Sequence, residues 1–220
     1  MYKGKKVFII QTIVIAIAYV VLTLIADAFG MAKNIVQFRI SDALCVLPYF
    51  TPAAVPGVFF GCLISNSIII GPTSGPGVIQ ELLTTGAVSV NNVPYLYDIV
   101  FGSFATLFGA MGAYLIRKYK FLVAIPPVVF NTVIVVLLFQ YAYRYEDTSM
   151  LKCFCTVGVG EIISCGLLGT ALILGLEDNK EKLFPNVWKK SADSEEEATV
   201  EKKITLDDIT ESGSNLIDKE

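Results

Sequence analysis

Residues 7–26 read VFIIQTIVIAIAYVVLTLIA, twenty positions without a charged side chain. At 1.5 Å per residue, a helix of this length is about 30 Å long, which matches the hydrocarbon thickness of a bilayer. Lys3, Lys5 and Lys6 precede the run, as in a secretory signal peptide, but the run is long for that role and no clear small-residue cleavage site follows it. We therefore expect a membrane-spanning helix that is retained.

The composition of the whole chain also indicates a membrane protein. Of the 220 residues, 54% are hydrophobic and 17% are charged, and the mean hydropathy is +0.63. A soluble domain carries about 25% charged residues, and a soluble fold of this size would not hide so much apolar surface from water. The composition argues against a soluble enzyme, a nucleic-acid-binding domain and a disordered protein.

Five further apolar segments follow the first one. The segment at 40–51 is too short to cross a bilayer squarely, so we expect a short or tilted helix there. Residues 71–97 contain several proline, glycine and asparagine turn signals and are expected to form a long loop. The predicted fold is an all-α integral membrane protein, a six-transmembrane-helix bundle formed by residues 1–178. The remaining expected spans are 53–70, 99–116, 121–143 and 153–176.

The distribution of lysine and arginine predicts the orientation of this bundle. Basic residues are concentrated before the first span, in 117–120 and after the sixth span, whereas 71–97 has none. With six spans, the three basic segments fall on one side, and the positive-inside rule then places both termini in the cytoplasm. A five-span count without 40–51 would put two of them outside, so the charges favour counting the short helix.

The C-terminal segment differs in composition from the rest. Residues 191–220 contain ten acidic and three basic side chains and few aromatic ones. Such a segment buries too little apolar surface to fold alone. We expect residues 179–220 to form an acidic, disordered cytoplasmic tail that follows a membrane domain at 1–178.

Several kinds of chemistry are excluded by missing residues. The sequence has no histidine, which rules out Ser-His-Asp and Cys-His catalysis and metal sites held by histidine. It has no G-x-x-x-x-G-K-[ST] run, so this chain does not bind ATP through a P-loop. The five cysteines lie in apolar runs without metal-ligand spacing. We expect no enzymatic activity, no metal and no cofactor.

Polar side chains inside the apolar segments are the candidates for function, because they are costly in a bilayer. Glu161 lies within the sixth span, on a helix face of small residues. It either contacts a ligand or forms an internal ion pair or hydrogen bond. Asp98 either caps the fourth span or belongs to a site. Asn131 and Asn66 hydrogen-bond either to neighbouring helices or to a ligand.

Two more groups of residues are candidates. The segment Gln37-Phe38-Arg39-Ile40-Ser41-Asp42 brings an amide, a cation and an acid to the start of the short helix. Its alternative role is structural, with Arg39 reaching lipid headgroups and Ser41 or Asp42 capping the helix. In the first span, Thr12 and Ala16 are small residues on one face, which suits either docking to another membrane protein or packing within the bundle.

An ordered set of segments resembles the queuosine-precursor transporter (QueT) family. The resemblance covers about residues 8–176, and no one segment is specific alone. The segments are QFRISDAL (37–44), FTPAAVPG (50–57), Gly61-Cys62 with Asn66, DIVFGS (98–103) with Ala105-Thr106-Leu107, Pro126-Pro127 with Asn131, and VGVGE (157–161). Three features depart from the family: Asp42 stands where Glu is usual, 71–97 is longer, and the small-residue docking pattern is reduced to Thr12-x-x-x-Ala16.

The resemblance implies a substrate-binding S-component of an energy-coupling factor (ECF) transporter in the cell membrane. It implies a site near the outer face for 7-cyano- or 7-aminomethyl-7-deazaguanine. The implied partners are a transmembrane T-component, docked through Thr12 and Ala16, and two ATPases. The alternatives are an S-component for another vitamin or nucleobase, an independent secondary transporter and, least compatible with the sequence, an intramembrane enzyme.

The chemistry of a deazaguanine matches the candidate residues. Its pyrimidine edge offers N–H donors that a carboxylate accepts as a pair. Under the resemblance, Glu161 takes this edge or the ammonium of an aminomethyl group, and Asp42 or Asp98 is the second acid. Amide and cationic contacts would come from Asn131, Asn66, Gln37 and Arg39, and Phe38 would stack on the ring. These roles are interchangeable within the set.

Overall fold

The computed structural model describes residues 2–30, 39–69, 78–86, 93–141 and 149–184, and within these ranges the chain forms helices and turns without strands. Gln37, Phe38 and most of the acidic tail lie outside the described residues. The helices are α1 (Tyr2–Ala28), a 3₁₀ helix (Ile40–Tyr49), α2 (Ala54–Ile69), α3 (Val78–Thr85), α4 (Val93–Leu115), α5 (Ile125–Tyr141), α6 (Met150–Glu161), a π-helical segment (Ile162–Leu168), α7 (Gly169–Glu177) and α8 (Lys180–Leu183).

The distribution of side chains is inverted relative to a soluble protein. Large apolar side chains cover the outside: Ile17 is 58% exposed and Leu167 is 68% exposed. Polar side chains are buried instead, including Asp42, Asn131 and Glu161. A surface of this kind is stable in lipid, and buried polar groups in such a bundle mark a site or a pathway.

Within the described ranges, three helical stretches are long and apolar enough to cross a bilayer. These are Lys5–Ala28, Leu96–Leu115 and Met150–Glu177, and the apolar helices Ile40–Tyr49, Ala54–Ile69 and Ile125–Leu138 are shorter. The described residues therefore have the helical architecture of a membrane protein. The count of six spans and the position of the termini remain predictions.

The prediction that residues 71–97 form a long loop is wrong in two places. Residues Val78–Thr85 form α3, and α4 already begins at Val93. The reason is local: the sequence VIQELLTT (78–85) lacks proline and glycine and contains good helix formers, so turn signals on either side do not extend through it.

The short second helix has 3₁₀ geometry. Its ten residues run from Ile40 to Tyr49, and the eight from Ser41 to Pro48 are buried. A 3₁₀ run of this length is unusual, because its hydrogen bonds are poorer than those of an α-helix. Here the packing of α1, α2, α4 and α7 against it holds it in the centre of the bundle.

Close helix contacts are made at glycines. α1 packs on α2 where a Cβ on Gly61 would lie 2.6 Å from the Cβ of Tyr19. α4 packs on α5 where a Cβ on Gly109 would lie 2.7 Å from the Cα of Pro127. Both distances are shorter than real Cβ contacts allow, so the absence of a side chain permits the backbones to approach.

The last long helix changes winding in its middle. α6 ends at Glu161, the π-helical segment follows directly, and α7 continues it from Gly169. A π segment inserts an extra residue per turn and is found mostly at functional positions. It begins here immediately after the acid that the sequence singles out. The described residues as far as Asp178 form one compact unit, and α8 belongs to a separate unit.

Candidate functional site

One cavity inside the bundle collects most of the polar residues that the sequence singled out. Its walls come from the 3₁₀ helix, α4, α5 and α6, so residues more than a hundred positions apart face the same space. The lining residues are Arg39, Asp42, Asp98, Gly102, Thr106, Asn131, Val135, Val157 and Glu161.

Asp98 lies within α4 and does not cap it. The helix begins at Val93, so Asp98 is already in its second turn and no longer at the position where a carboxylate bonds the free N–H groups. The capping interpretation is therefore wrong. One turn later, a Cβ on Gly102 would lie 3.6 Å from Asp98 Oδ1 and 3.3 Å from Asn66 Nδ2. The glycine leaves room for both polar groups beside the cavity.

Arg39 provides the positive charge among the described lining residues. It precedes the 3₁₀ helix in an extended conformation, with φ −109° and ψ 102°, and its side chain is half-buried. Its Nη1 donates to Asn66 Oδ1 at 3.3 Å, and its guanidinium lies within electrostatic range of Asp42 and Asp98. Because Asn66 is 2% exposed, this contact ties the cation to α2.

Asp42 accepts hydrogen bonds from two other elements of the bundle, one at its carboxyl group and one at its backbone carbonyl. It is 2% exposed, and its Oδ1 accepts a hydrogen bond from the hydroxyl of Tyr19, which α1 contributes. The Cys165 thiol donates to the backbone carbonyl of Asp42 at 3.1 Å. These contacts fix the 3₁₀ helix against α1 and against the π-helical segment. A buried carboxylate requires such donors, since an unpaired one is costly.

Glu161 is the acid at the other end of the cavity. It is 7% exposed, and its Oε2 accepts from Asn131 Nδ2 at 3.3 Å, while the sulfur of Cys165 lies 3.5 Å from the same oxygen. Asp42 and Glu161 line the same cavity, and Cys165 lies against both the Asp42 carbonyl and the Glu161 carboxyl group.

Three buried hydroxyls near these residues in the sequence lack partners within the described part of the chain. They belong to Ser41, Thr132 and Ser164, which respectively precede Asp42, follow Asn131 and lie on the π-helical segment. A buried polar group without a partner costs about 1–3 kcal/mol. The described interior of this bundle therefore contains hydroxyl groups that its own side chains and backbone leave without a hydrogen bond.

The enclosed space is small. The cavity has a volume of about 10 Å³, which is room for roughly one water molecule, whereas an engineered cavity of about 150 Å³ holds one benzene molecule. Binding of a flat bicyclic heterocycle therefore requires the walls to move apart. We expect Arg39 to take part in this movement, because it precedes its helix and is half-buried.

Replacement of the Tyr19 hydroxyl tests how Asp42 is held. We expect Tyr19→Phe to lower the free energy of unfolding by about 1.5–3 kcal/mol, since a buried carboxylate loses a donor. Thermal unfolding of the purified protein in detergent measures this. Tyr141→Phe is the matched control, because Tyr141 is 76% exposed. Equal stability of the two variants would contradict the role given to Tyr19.

The sequence did not indicate every residue of the site. Tyr19 was not among the residues that the sequence analysis selected. The one feature that could have indicated it is a phenol hydroxyl in the middle of an apolar run. Thr106 and Gly102 line the cavity although they carry no charge. The structure brings Arg39, Asp42, Asp98, Asn131 and Glu161 together, with Asn66 bonded to Arg39.

The candidate docking residues, Thr12 and Ala16, lie where α1 packs against α2 and also border the outer surface of the bundle. Thr12 donates to the Ala53 carbonyl at 3.2 Å, so it also takes part in packing against the start of α2. On the outside, Thr12 and Ala16 border an apolar groove of about 400 Å³ between α1 and α2, which Ile17, Phe60 and Ile64 also line. The structure thus gives these residues a packing role and leaves docking as a prediction.

Comparison with known proteins agrees with the resemblance read from the sequence. Residues 9–178 match the family model described as QueT transporter. A search of curated proteins and a search of solved structures each gave no match. Because the matched segment is far more than half of the 220 residues, this chain belongs to the QueT transporter family.

Proposed function

We propose that the protein is the membrane substrate-capture subunit, or S-component, of an ECF transporter, and that it binds a 7-deazaguanine precursor of queuosine. The observation that carries this proposal is the convergence of Arg39, Asp42, Asp98, Asn131 and Glu161 on one cavity in an otherwise apolar bundle. Family membership supplies the class of activity, and the cavity supplies groups that suit a polar heterocycle.

The chemistry of the cavity fits a guanine-like ring. Carboxylates accept from the N1–H and 2-amino donors of such a ring as a pair, and an amide or a guanidinium donates to its carbonyl oxygen. We assign the first role to Asp98 or Glu161, and the second to Asn131, Asn66 or Arg39. Val135 and Val157 line the same cavity and contribute apolar contacts to the ring.

The proposed topology puts this cavity in the outer half of the membrane. Asp98 and Gly102 lie in the N-terminal half of α4, and Thr106 lies just past its middle. If the lysine- and arginine-rich segments are cytoplasmic, that half of α4 faces the outside of the cell. The same orientation makes this a multi-pass protein of the cell membrane with both termini in the cytoplasm and residues 179–220 as a cytoplasmic tail.

Under this proposal the energy for transport comes from partner proteins, and the chain itself has no P-loop motif. We propose a T-component that docks on the groove beside Thr12 and Ala16, together with two ATPases. The groove is apolar and bordered by small residues, which allows close approach of another helix in lipid.

Uptake of labelled 7-deazaguanine tests the proposal. Cells that make no queuosine precursor receive this chain alone, with the T-component and ATPases, or with ATPases whose Walker-A lysine is replaced. We expect accumulation only with the intact module, because binding by itself moves no ligand across the membrane. Accumulation by the chain alone would instead indicate an independent secondary transporter.

A further inference from the structure

An apolar groove lies on the outside of the bundle between α4 and α5, and its lining shares no residue with the polar cavity. Its volume is about 400 Å³. The lining residues include Tyr97, Phe101, Phe104 and Phe108 on α4, and Leu137 and Tyr141 on α5. The spacing of the four aromatic residues on α4 puts them on one face of the helix. They form a row about 16 Å long at 1.5 Å per residue, and we call this feature the aromatic groove.

The aromatic groove begins at the edge of the apolar part of the bundle. Tyr97 lies at the start of the apolar stretch Leu96–Leu115, and Tyr141 is the last residue of α5. Further along, Gly109 of α4 lies against Pro127 near the start of α5, so the two helices are antiparallel and both tyrosines are at the same end. Tyrosine is enriched at this level of a membrane, where its ring is in hydrocarbon and its hydroxyl reaches polar groups. The groove therefore runs from the membrane interface into the hydrocarbon layer.

We propose that the aromatic groove binds one acyl chain of a diacyl phospholipid, with Tyr97 and Tyr141 at the level of its ester groups. A volume of about 400 Å³ along the row of rings gives a long, narrow space that suits an extended hydrocarbon chain. The two hydroxyls are at the end where the chain joins the glycerol, and a phenol donates a hydrogen bond to an ester carbonyl. Because all diacyl phospholipids share this ester group, the groove accepts them without regard to the headgroup.

The border of the aromatic groove favours a lipid chain over a helix of another protein. Helices approach closely in lipid where small residues border the contact, as Thr12 and Ala16 do in the groove between α1 and α2. The aromatic groove is instead bordered by large rings, and Phe101, Phe104 and Phe108 are between 41% and 49% exposed. These rings hold the backbone of a second helix away from α4, whereas a flexible chain fits between them and α5.

Photolabelling of the full-length protein tests the proposal. The protein in detergent is mixed with phosphatidylcholine that carries a diazirine midway along one acyl chain, and mass spectrometry then locates the adducts. We expect adducts at 97–108 and 134–141 to outnumber those around Leu167 and Leu174 roughly tenfold, although both leucines are at least 50% exposed. Excess unlabelled phosphatidylcholine or phosphatidylglycerol should remove the groove adducts equally well. An even distribution over the apolar surface, or groove peptides without adducts, would overturn the proposal.

Substitutions then assign the labelling to the rings. We expect the double variant Phe101→Ala with Phe104→Ala to lose roughly tenfold in groove labelling, because the acyl chain loses the aromatic wall. Phe154→Ala is the matched control, since Phe154 is 47% exposed on α6 and does not line the groove; it should label as the wild type does. Equal groove labelling of the double variant and the control would overturn the proposal. If the double variant does not fold, Leu137→Ala on the opposite wall takes its place with the same two outcomes.

Discussion

Arg39→Gln weakens binding of a 7-deazaguanine on the order of a hundredfold, or about 2–3 kcal/mol. The side chain lies within electrostatic range of Asp42 and Asp98 and donates to Asn66. Its loss leaves two carboxyl groups in a closed cavity without the guanidinium, and it removes a donor for the ring carbonyl. The effect is at the low end of the range for charged pairs because Arg39 is only half-buried.

Titration calorimetry of the purified variant measures this effect, and two further variants interpret it. Arg39→Lys keeps the charge without the planar fork of donors, so it should recover part of the affinity. Arg117→Gln is the matched control, because Arg117 lies over the Tyr114 ring and does not line the cavity. An affinity of Arg39→Gln equal to that of Arg117→Gln would remove Arg39 from the site.

Gly109→Ala lowers stability by about 2–3 kcal/mol, although alanine is the better helix former by about 1 kcal/mol. The added Cβ would lie 2.7 Å from Pro127 Cα, a backbone atom that moves only if α5 moves. The two helices must then separate along the wall that carries Asn131. The expected fall in melting temperature is roughly 5–10 °C, and ligand affinity should fall with it.

Gly175→Ala is the control for this experiment. No atom lies within 4 Å of a Cβ built on Gly175, which is on α7. The same substitution there gains helix propensity without a clash, so the melting temperature should stay the same or rise. A rise in both variants would show that α4 and α5 do not approach as closely as described.

The sequence indicated several of the side chains that line the cavity, because charges and amides are rare in apolar spans. Glu161 and Asn131 stood out for this reason, and the structure places them in contact at 3.3 Å. Arg39 and Asp42 stood out as polar residues at the start of a short helix, and they line the same cavity. The cost of a polar group in lipid is the physical basis of both predictions.

The sequence did not predict how these residues are brought together. The convergence of Asp42 and Glu161 on one cavity depends on packing between elements more than a hundred residues apart, and no local pattern encodes it. The 3₁₀ geometry of 40–49 and the π segment after Glu161 are likewise set by tertiary contacts. The sequence did not indicate a role for Tyr19, because tyrosine is common in membrane spans. Its role follows only from the hydrogen bond that its hydroxyl donates to Asp42.

The position of α4 shows a different kind of error. Hydropathy placed the start of the span near Ile99, and Asp98 then looked like a cap. The helix in fact begins at Val93 and includes less apolar residues before Ile99. Hydropathy detects only the apolar part of a helix, and the helix extends beyond that part. Asp98 therefore lies inside α4, where it lines the cavity, and not at the end of the helix.

A structure of the protein with bound 7-aminomethyl-7-deazaguanine tests the central claim most directly. We expect the ring to lie between Arg39, Asp98, Asn131 and Glu161, in a cavity enlarged from about 10 Å³. We also expect displacement of Arg39 from Asn66. A ligand bound elsewhere, for example in the aromatic groove of Phe101, Phe104 and Phe108, with the polar cavity still closed, would contradict it.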